Sequence, residues 1–217
     1  MSDSKNAEVI ATLRDHWDHM ALDRGTDSEK VDATPRAQRM RFAAFTTLEN
    51  LEGATILDIG CGLGDLWAFL KTLGVRCEYV GVDVSSAMVE RARTKFPDAT
   101  FEVANVFEWE PGRTFDYVIA LGIHNVRVAG AESLLETMTR RQFELCSRAA
   151  HVSLLTDRYE GFGPRALPWR AEEVLAMALS ISKNVTLRHD YLPNDFSVTI
   201  YREPLIDRRR ELLDGLD

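Results

Sequence analysis

Three closely spaced glycines follow the first apolar run that is typical of a β-strand. Residues 57–65 read LDIGCGLGD, with Gly60, Gly62 and Gly64 placed just before a helical pattern that starts at Asp65. Glycines let the backbone turn sharply and let a ligand approach without obstruction by a Cβ atom. The spacing is G-x-G-x-G, and Asp65 stands where a dinucleotide-binding fold has its third glycine. The segment predicts a strand–loop–helix unit with a ligand-binding loop, although ordinary tight turns also contain glycines at such spacing.

Short apolar runs alternate with helical patterns from residue 53 onward. Such alternation predicts a parallel sheet joined by right-handed helical crossovers, and almost continuously apolar runs predict strands that are covered on both faces. The predicted strands are 54–59, 78–83, 100–106, 115–121 and 151–156, and the predicted helices are 65–73, 86–96 and 131–149.

The C-terminal third changes this rhythm. A helical pattern at 171–182 precedes two strand-like runs, 185–191 and 196–202, which are joined by only four residues, Leu192–Asp195. So short a link cannot make a parallel crossover, so the two runs must form an antiparallel hairpin. The predicted fold is therefore α/β and Rossmann-like, with a seven-stranded, mostly parallel sheet, one antiparallel strand and helices on both faces.

Two further helices are predicted before residue 53. The first spans about 7–22, and the second begins at Thr34-Pro35, a cap residue followed by proline at the first helical position. The second helix is expected to bury Met40, Ala44, Leu48 and Leu51. The polar link 23–33 is expected to be mobile. We expect three parts: an N-terminal helical cap or lid (1–34), the main domain (35–203) and a charged helical tail (204–217).

Charge and cysteine content exclude several functional classes. The 26 Lys and Arg residues against 34 Asp and Glu residues give a net charge of −8, which disfavours nucleic acid as a partner. No run resembles a membrane span or the apolar core of a signal peptide. Cys61, Cys77 and Cys146 form no C-x-x-C pair, so neither a disulfide framework nor a zinc site is predicted. We expect a cytoplasmic protein that is a monomer or a homodimer, without nucleic-acid or membrane partners and without a metal.

A carboxylate ends the second predicted strand. Asp83 lies 19 residues beyond Gly64, in the run VGVDV at 80–84. A carboxylate at this position can accept two hydrogen bonds from a ribose diol. The alternative is a strand-end or helix-capping aspartate, because Ser85 and Ser86 open the next helix.

Taken together, these motifs resemble the class I S-adenosylmethionine-dependent methyltransferases. The resemblance rests on Asp58 with the three glycines, on Asp83 and on the terminal antiparallel hairpin, and it covers about residues 35–203. It implies the strand order 3-2-1-4-5-7-6, and S-adenosylmethionine as cofactor with S-adenosylhomocysteine (SAH) as product.

The resemblance also implies roles for individual residues. Asp58 would contact the methionine amine, the glycines would pass under the cofactor, and Asp83 would hold the ribose. Asn105 stands where the family usually has an aspartate against the adenine amino group; its amide oxygen can still accept that hydrogen bond, and its alternative role is a turn residue. The other expected cofactor-binding residues are Cys61, Val84, Met88, Val106 and Leu121.

Candidates for the acceptor side lie beyond the carboxyl ends of the strands. His124 and Asn125 directly follow the fourth strand, and His124 is the candidate general base because imidazole titrates near neutrality. Its alternative role is a loop histidine bonded to backbone or water. Trp17 in the first helix and Tyr159 in the 157–170 loop are expected to contact the substrate, and either segment could form a lid over it.

The leading prediction is transfer of the cofactor's methyl group to a small molecule by in-line displacement, with oxygen favoured over nitrogen as the acceptor atom. Three alternatives stay open: a cofactor-binding regulator or silent partner subunit, a methyltransferase that acts on protein or RNA, and a nicotinamide oxidoreductase. Asp65 and the terminal hairpin argue against the oxidoreductase.

Overall fold

A computed structural model describes residues 2–24, 34–47 and 51–204. The helices are α1 (Ser2–Arg24), α2 (Pro35–Thr46), α3 (Asp65–Thr72), α4 (Ser86–Lys95), α5 (Leu134–Leu145) and α6 (Ala171–Ile181), with a 3₁₀ turn at Ala131–Ser133. The strands are β1 (Thr55–Ile59), β2 (Glu78–Asp83), β3 (Thr100–Val103), β4 (Phe115–Leu121), β5 (Cys146–Leu155), β6 (Val185–Leu192) and β7 (Asp195–Tyr201).

All seven strands form one sheet in the order β3-β2-β1-β4-β5-β7-β6. Strands β1 to β5 pair in parallel, whereas β7 is antiparallel to both β5 and β6. The predicted fold class and strand order are therefore confirmed, including the single reversed strand. The carboxyl ends of β1, β2, β3 and β4 meet along one edge, and this edge carries the site described below.

Helices cover both faces of the sheet. Apolar side chains of α2, α3 and α4, including Phe45, Leu70 and Val89, pack on one face. Met138 of α5 and Val174 of α6 pack on the other face. Burial on both sides explains why the central strands read as continuous apolar runs.

The boundary between α5 and β5 differs from the prediction. The helix predicted over 131–149 ends at Leu145, and β5 begins at Cys146 instead of residue 151. Ala149 and Ala150 pair with β4 on one side and with β7 on the other. The hydrogen bonds to two neighbouring strands outweigh the helical tendency of these alanines, because a central strand without its ladder would leave buried backbone groups unpaired.

Two other segments also depart from the prediction. Strand β3 ends at Val103 instead of 106, because the chain leaves the sheet there and turns at Asn105. Helix α2 ends at Thr46, so that Leu51 is buried beyond the helix and not on it. Its buried residues are Arg41, Phe42, Ala44 and Phe45, whereas Met40 is half-buried. Three predicted features lie wholly or partly outside the described residues. These are Leu48, residues 25–33 of the expected mobile link, and residues 205–217 of the expected helical tail.

Candidate active site

The glycine loop after β1 has one open position. All three glycines have positive φ angles, +74° at Gly60, +52° at Gly62 and +77° at Gly64. A Cβ atom at Gly60 would lie 2.2 Å from Ile123 Cγ2, and one at Gly64 would lie 2.7 Å from the Phe101 ring. At Gly62 a Cβ would meet nothing within 4 Å. The outer glycines thus allow close packing, while Gly62 leaves free space above the backbone.

A cavity of about 1290 Å³, part of it open to solvent, lies over this loop. Its walls come from the carboxyl ends of β1 to β4, from the chain after β4 and from helices α1, α2 and α5. The expected cofactor-binding residues that line the cavity are Asp58, Gly60, Cys61, Gly62, Asp83, Val84, Met88, Asn105, Val106 and Leu121. An open α/β sheet binds ligands at this edge.

Asp83 is held by the backbone at the end of β2. Its Oδ2 accepts a hydrogen bond from the Gly62 amide at 2.9 Å, and its Oδ1 accepts one from the Ser85 amide at 2.9 Å. The cap of α4 is the Ser85 hydroxyl, which accepts from the Met88 amide. Burial raises the pKa of the Asp83 carboxyl. Asp83 therefore connects the end of β2 to the glycine loop, and each oxygen keeps lone pairs for a ligand.

Asp58 is a second buried carboxyl group in the cavity wall. Its side chain accepts a hydrogen bond from the Tyr79 hydroxyl at 2.7 Å. Burial raises the pKa of Asp58 to about 7 against the opposing effect of this hydrogen bond, and the nearby Asp83 and Asp65 add to the rise. A positively charged ligand in the cavity would favour the ionised form.

Asn105 lines the cavity and also stabilises its own turn. Its Oδ1 accepts a hydrogen bond from the Phe107 amide, and its Nδ2 donates to Glu108. The turn role that the sequence left open is therefore present, and it does not remove Asn105 from the cavity wall. Cys61 also lines the cavity, and burial raises the pKa of its thiol well above the ordinary value, so the group stays protonated.

His124 is buried in the cavity wall after β4. Its main-chain oxygen accepts a hydrogen bond from Trp169 Nε1, which fixes the backbone there. The buried Nε2 atom has no hydrogen-bond partner among the described residues. Burial lowers the pKa of His124 to about 4, so the imidazole is neutral at physiological pH.

Helix α1 closes one side of the cavity. Ile10, Leu13 and Trp17 line it, and Asp18 attaches the helix to the start of α4. Asp18 Oδ1 accepts hydrogen bonds from the Ser85 hydroxyl at 2.5 Å and from the Ala87 amide at 3.3 Å. A carboxylate is favourable at this position because a helix N-terminus carries unpaired amides and positive partial charge.

Helix α2 contributes a polar wall with Gln38, Arg41 and the neighbouring ring of Phe42. Gln38 donates to Asp65 at 3.3 Å. Arg41 donates through Nε and Nη2 to Asp195, at 3.0 and 2.8 Å, and both side chains are buried. Among the described residues that line the cavity, Arg41 is the only one with a positively charged side chain at neutral pH.

Comparison with known proteins agrees with this geometry. Residues 56–141 match a family model described as a methyltransferase domain. Trans-aconitate 2-methyltransferase of Afipia carboxidovorans is 38% identical over 76 residues, which are 35% of this chain and 30% of that protein. The protein of the same name from Escherichia coli O1:K1 / APEC is 36% identical over 88 residues, 39% of this chain and 34% of that protein. The chain thus spans about a third of the length of these curated relatives.

The fold agrees over a larger part of the chain. Magnesium protoporphyrin IX methyltransferase of Synechocystis PCC 6803, in a structure with bound SAH, has a TM-score of 0.64 at 17% identity. The alignment covers 92% of this chain and 100% of that chain. Residues 56–141 thus match a methyltransferase domain, and the fold is that of the class I S-adenosylmethionine-dependent methyltransferases.

Three residues expected in the site do not line the cavity. Gly64 packs against Phe101, and the Asn125 Oδ1 accepts a hydrogen bond from the Leu155 amide, which ties the chain after β4 to β5. Tyr159 is 40% exposed and packs edge-on against Phe162. The lining therefore includes Trp17 and His124 from the expected acceptor residues, but not Asn125 or Tyr159.

Sequence reasoning missed four residues that shape the site: Asp18, Gln38, Arg41 and Tyr79. The apolar stripe of α2 gave one usable signal, since Arg41 occurs within it and a buried arginine requires a partner. No local signal points to Tyr79, because its contact with Asp58 depends on the pairing of β2 with β1.

The described part of the chain lacks two features. None of its helices combines the length and apolar character that a membrane span requires. No three His, Cys, Asp or Glu side chains in it are grouped so that they could hold a metal ion.

Proposed function

We propose that this chain transfers the methyl group of S-adenosylmethionine to a small organic acceptor. The observation that carries the proposal is the convergence of Asp58, Asp83 and the open position above Gly62 in one cavity. These groups fit the cofactor: a carboxylate for the methionine amine, a carboxylate for the ribose diol and free backbone space between them. When bound, the cofactor supplies an electrophilic sulfonium methyl group.

The residues of the chain divide into two regions by position. Asp83, Val84 and Met88 at the end of β2, with Asn105 and Val106 after β3, would bind the nucleoside. Asp58 and the glycine loop would bind the methionine part. This assignment leaves the region between α2, His124 and α5 for the acceptor, with Leu134 and Met138 as its apolar floor.

A small acceptor with an anionic group fits this remaining region. Apolar side chains enclose it, and the Arg41 guanidinium, which is oriented by Asp195, supplies its positive charge. The curated relatives are named for trans-aconitate, a small organic acid, which makes that compound the first acceptor to test. Oxygen is the favoured acceptor atom, since such an acid offers carboxylate oxygens as nucleophiles.

His124 is the proposed general base for an acceptor that must lose a proton. It is neutral, it is buried beside the cavity, and its Nε2 atom is unpaired among the described residues. The other part of the reaction is alignment of the acceptor and exclusion of water, for which the closed walls of α1 and α2 are suited.

The proposal is tested by label transfer from methyl-tritiated S-adenosylmethionine. Purified protein is incubated with trans-aconitate, with a panel of other organic acids and with a fractionated cell extract. We expect label in the small-molecule fraction. Label in protein or RNA would contradict the acceptor class, and absence of SAH binding by calorimetry would contradict the cofactor. Cofactor binding without transfer to any fraction would favour the regulator or silent-partner alternative.

When the labelled acceptor atom is one that must lose a proton, such as a hydroxyl oxygen, His124→Asn tests the base; a carboxylate is already ionised at neutral pH and needs none. General-base catalysis typically contributes about 10²–10⁴-fold, so we expect a fall of at least about 100-fold in the rate of label transfer. The dissociation constant for SAH should stay within about twofold, because His124 is assigned to the acceptor side. An undiminished rate would show that His124 is not the base.

A further inference from the structure

Tyr79 supports the cavity from inside the core. Its hydroxyl donates to Asp58 Oδ2 at 2.7 Å, and among the described residues it is the only hydrogen-bond donor to that carboxylate. The phenol ring is held by Trp67 and Phe101, with ring centroids 5.5 and 5.9 Å away. Tyr79 is buried and does not line the cavity, so it acts on a ligand through Asp58.

The surroundings of Asp58 contain more negative than positive charge. Burial is the largest cause of its raised pKa of about 7, and the Tyr79 hydrogen bond opposes that rise. The helix α1 turns only uncharged side chains, Ile10, Leu13 and Trp17, toward the cavity, and α5 turns Leu134 and Met138. The titratable and charged groups that face Asp58 or share its cavity are Tyr79 and Asp83 on β2, Cys61 in the glycine loop, Asp65 on α3, Arg41 on α2 and His124 after β4.

We propose that Tyr79 is a positioning residue that keeps Asp58 oriented and ready to ionise, so that uptake of the ammonium group of the cofactor is coupled to release of a proton from Asp58. The inference rests on the proposed function, because it takes the cofactor's amine as the group that Asp58 meets. The carboxyl proton leaves to solvent, and the resulting carboxylate pairs with the ammonium group of the ligand. Tyr79 favours this ionisation because its hydrogen bond is stronger to a charged acceptor than to a neutral one.

The test is calorimetric titration of the protein with SAH between pH 6 and pH 9. Buffers of different ionisation enthalpy report the number of protons released per ligand bound. For the unmodified chain we expect about half a proton released at pH 7, since Asp58 is then about half protonated. For Tyr79→Phe, whose Asp58 lacks the stabilising donor, we expect release nearer one proton and affinity lower by about tenfold at pH 7.

The pH dependence of SAH affinity distinguishes a positioning role of Tyr79 from a role in packing alone. At pH 9 Asp58 is ionised in the free and bound states of both proteins, so their affinities should agree within about twofold. An equal loss of affinity at every pH with unchanged proton release would mean that Tyr79 only packs, and it would overturn the inference. So would a Tyr79→Phe protein that matches the unmodified chain throughout.

Tyr117→Phe is the matched control. Tyr117 is buried in the same apolar cluster and pairs with the same residue of β1, Ile56, from the opposite neighbouring strand. We expect it to leave SAH affinity and proton release unchanged, and an equal effect of both substitutions would again overturn the inference. Absence of SAH binding by the unmodified chain at every pH would instead overturn the proposed function, and this inference with it.

Discussion

Asp58 is expected to have opposite effects on stability and on ligand binding. Burial raises its pKa from 3.8 to about 7, so the folded protein binds a proton more tightly than the unfolded chain does. A group with a raised acid pKa weakens folding as the pH rises from about 4, and the full penalty is present above pH 7. The carboxyl group is therefore expected to destabilise the empty protein at the pH at which it serves the ligand.

Asp58→Asn tests this balance at a single residue. The neutral amide can still accept the Tyr79 hydrogen bond, so we expect the free energy of unfolding at pH 8 to increase by about 2–4 kcal/mol. The gain should disappear near pH 4, where Asp58 is protonated. SAH affinity should fall about tenfold or more, because the charge-assisted contact is lost.

Urea unfolding at both pH values and calorimetry with SAH measure these effects. Asp98→Asn serves as the control, since Asp98 is an exposed carboxyl group paired with Lys71, and we expect no gain in stability from it. A loss of stability in Asp58→Asn at pH 8, or retention of full SAH affinity, would contradict the role given to Asp58.

Local sequence predicts some properties of individual residues and not others. The sharp backbone turn at the three glycines and the place of Asp83 at the end of β2 depend on neighbours in one loop and at one strand end, and they could be predicted. Protonation of Asp58 and neutrality of His124 depend on burial by α1, α2 and α5, which are distant in sequence. Burial of this kind follows from packing and has no signature in a short motif.

At the scale of elements, helix α1 lies along one side of the cavity and covers it there. It carries three apolar side chains into the wall, and its attachment to α4 depends on the Asp18 carboxylate. If cofactor leaves through this side, the hydrogen bonds of Asp18 must break first. From the sequence, either the first helix or the 157–170 loop could form a lid. The cavity wall includes residues of α1 but no residue of the 157–170 loop.

Asp18→Asn is expected to accelerate the dissociation of SAH by about five- to thirtyfold, because hydrogen bonds to a charged group are worth about 1–2 kcal/mol at such a half-buried position. Stopped-flow displacement with excess unlabelled ligand measures the rate. Asp15→Asn on the same helix is the control, since that carboxylate is exposed and contacts Arg14. An unchanged dissociation rate in Asp18→Asn would show that α1 does not control exit.

Local sequence pattern predicts the bounds of some strands and helices better than those of others. Strands β2 and β4 match their predicted bounds, Glu78–Asp83 and Phe115–Leu121. The α5–β5 boundary was predicted wrongly, since alanine favours a helix by local propensity. Only the pairing of Ala149 and Ala150 with two neighbouring strands decides between helix and strand.

At the scale of the whole molecule, the Arg41–Asp195 pair joins distant parts of the chain. Arg41 belongs to α2 and Asp195 begins β7, next to Leu155 at the end of β5. Both side chains are buried, so removal of one partner leaves an uncompensated charge in the core. The pair therefore holds α2 against the far half of the sheet and also shapes the cavity wall.

A double-mutant cycle tests this pair. We expect Arg41→Met or Asp195→Asn alone to reduce the free energy of unfolding by about 3–5 kcal/mol, and the double variant to lose less than the sum. Urea unfolding gives the three values. The exposed pair Glu136–Arg140 on α5 is the control, and its removal should change stability little. Additive losses at Arg41 and Asp195 would contradict a direct coupling.

The sequence by itself predicted the α/β fold class from periodicity and turn residues, which act between near neighbours, and the strand order through a family resemblance, and both predictions are confirmed. The glycine loop as a ligand-binding site is likewise a prediction from the sequence, and it rests on the spacing of the glycines. The tertiary structure decided the contact of Tyr79 with Asp58, the ion pair of Arg41 with Asp195, the burial of His124 and the absence of Asn125 and Tyr159 from the cavity wall. These features depend on which strands pair and which helices cover them, because hydrogen bonding and desolvation act through space between residues as far as 154 positions apart.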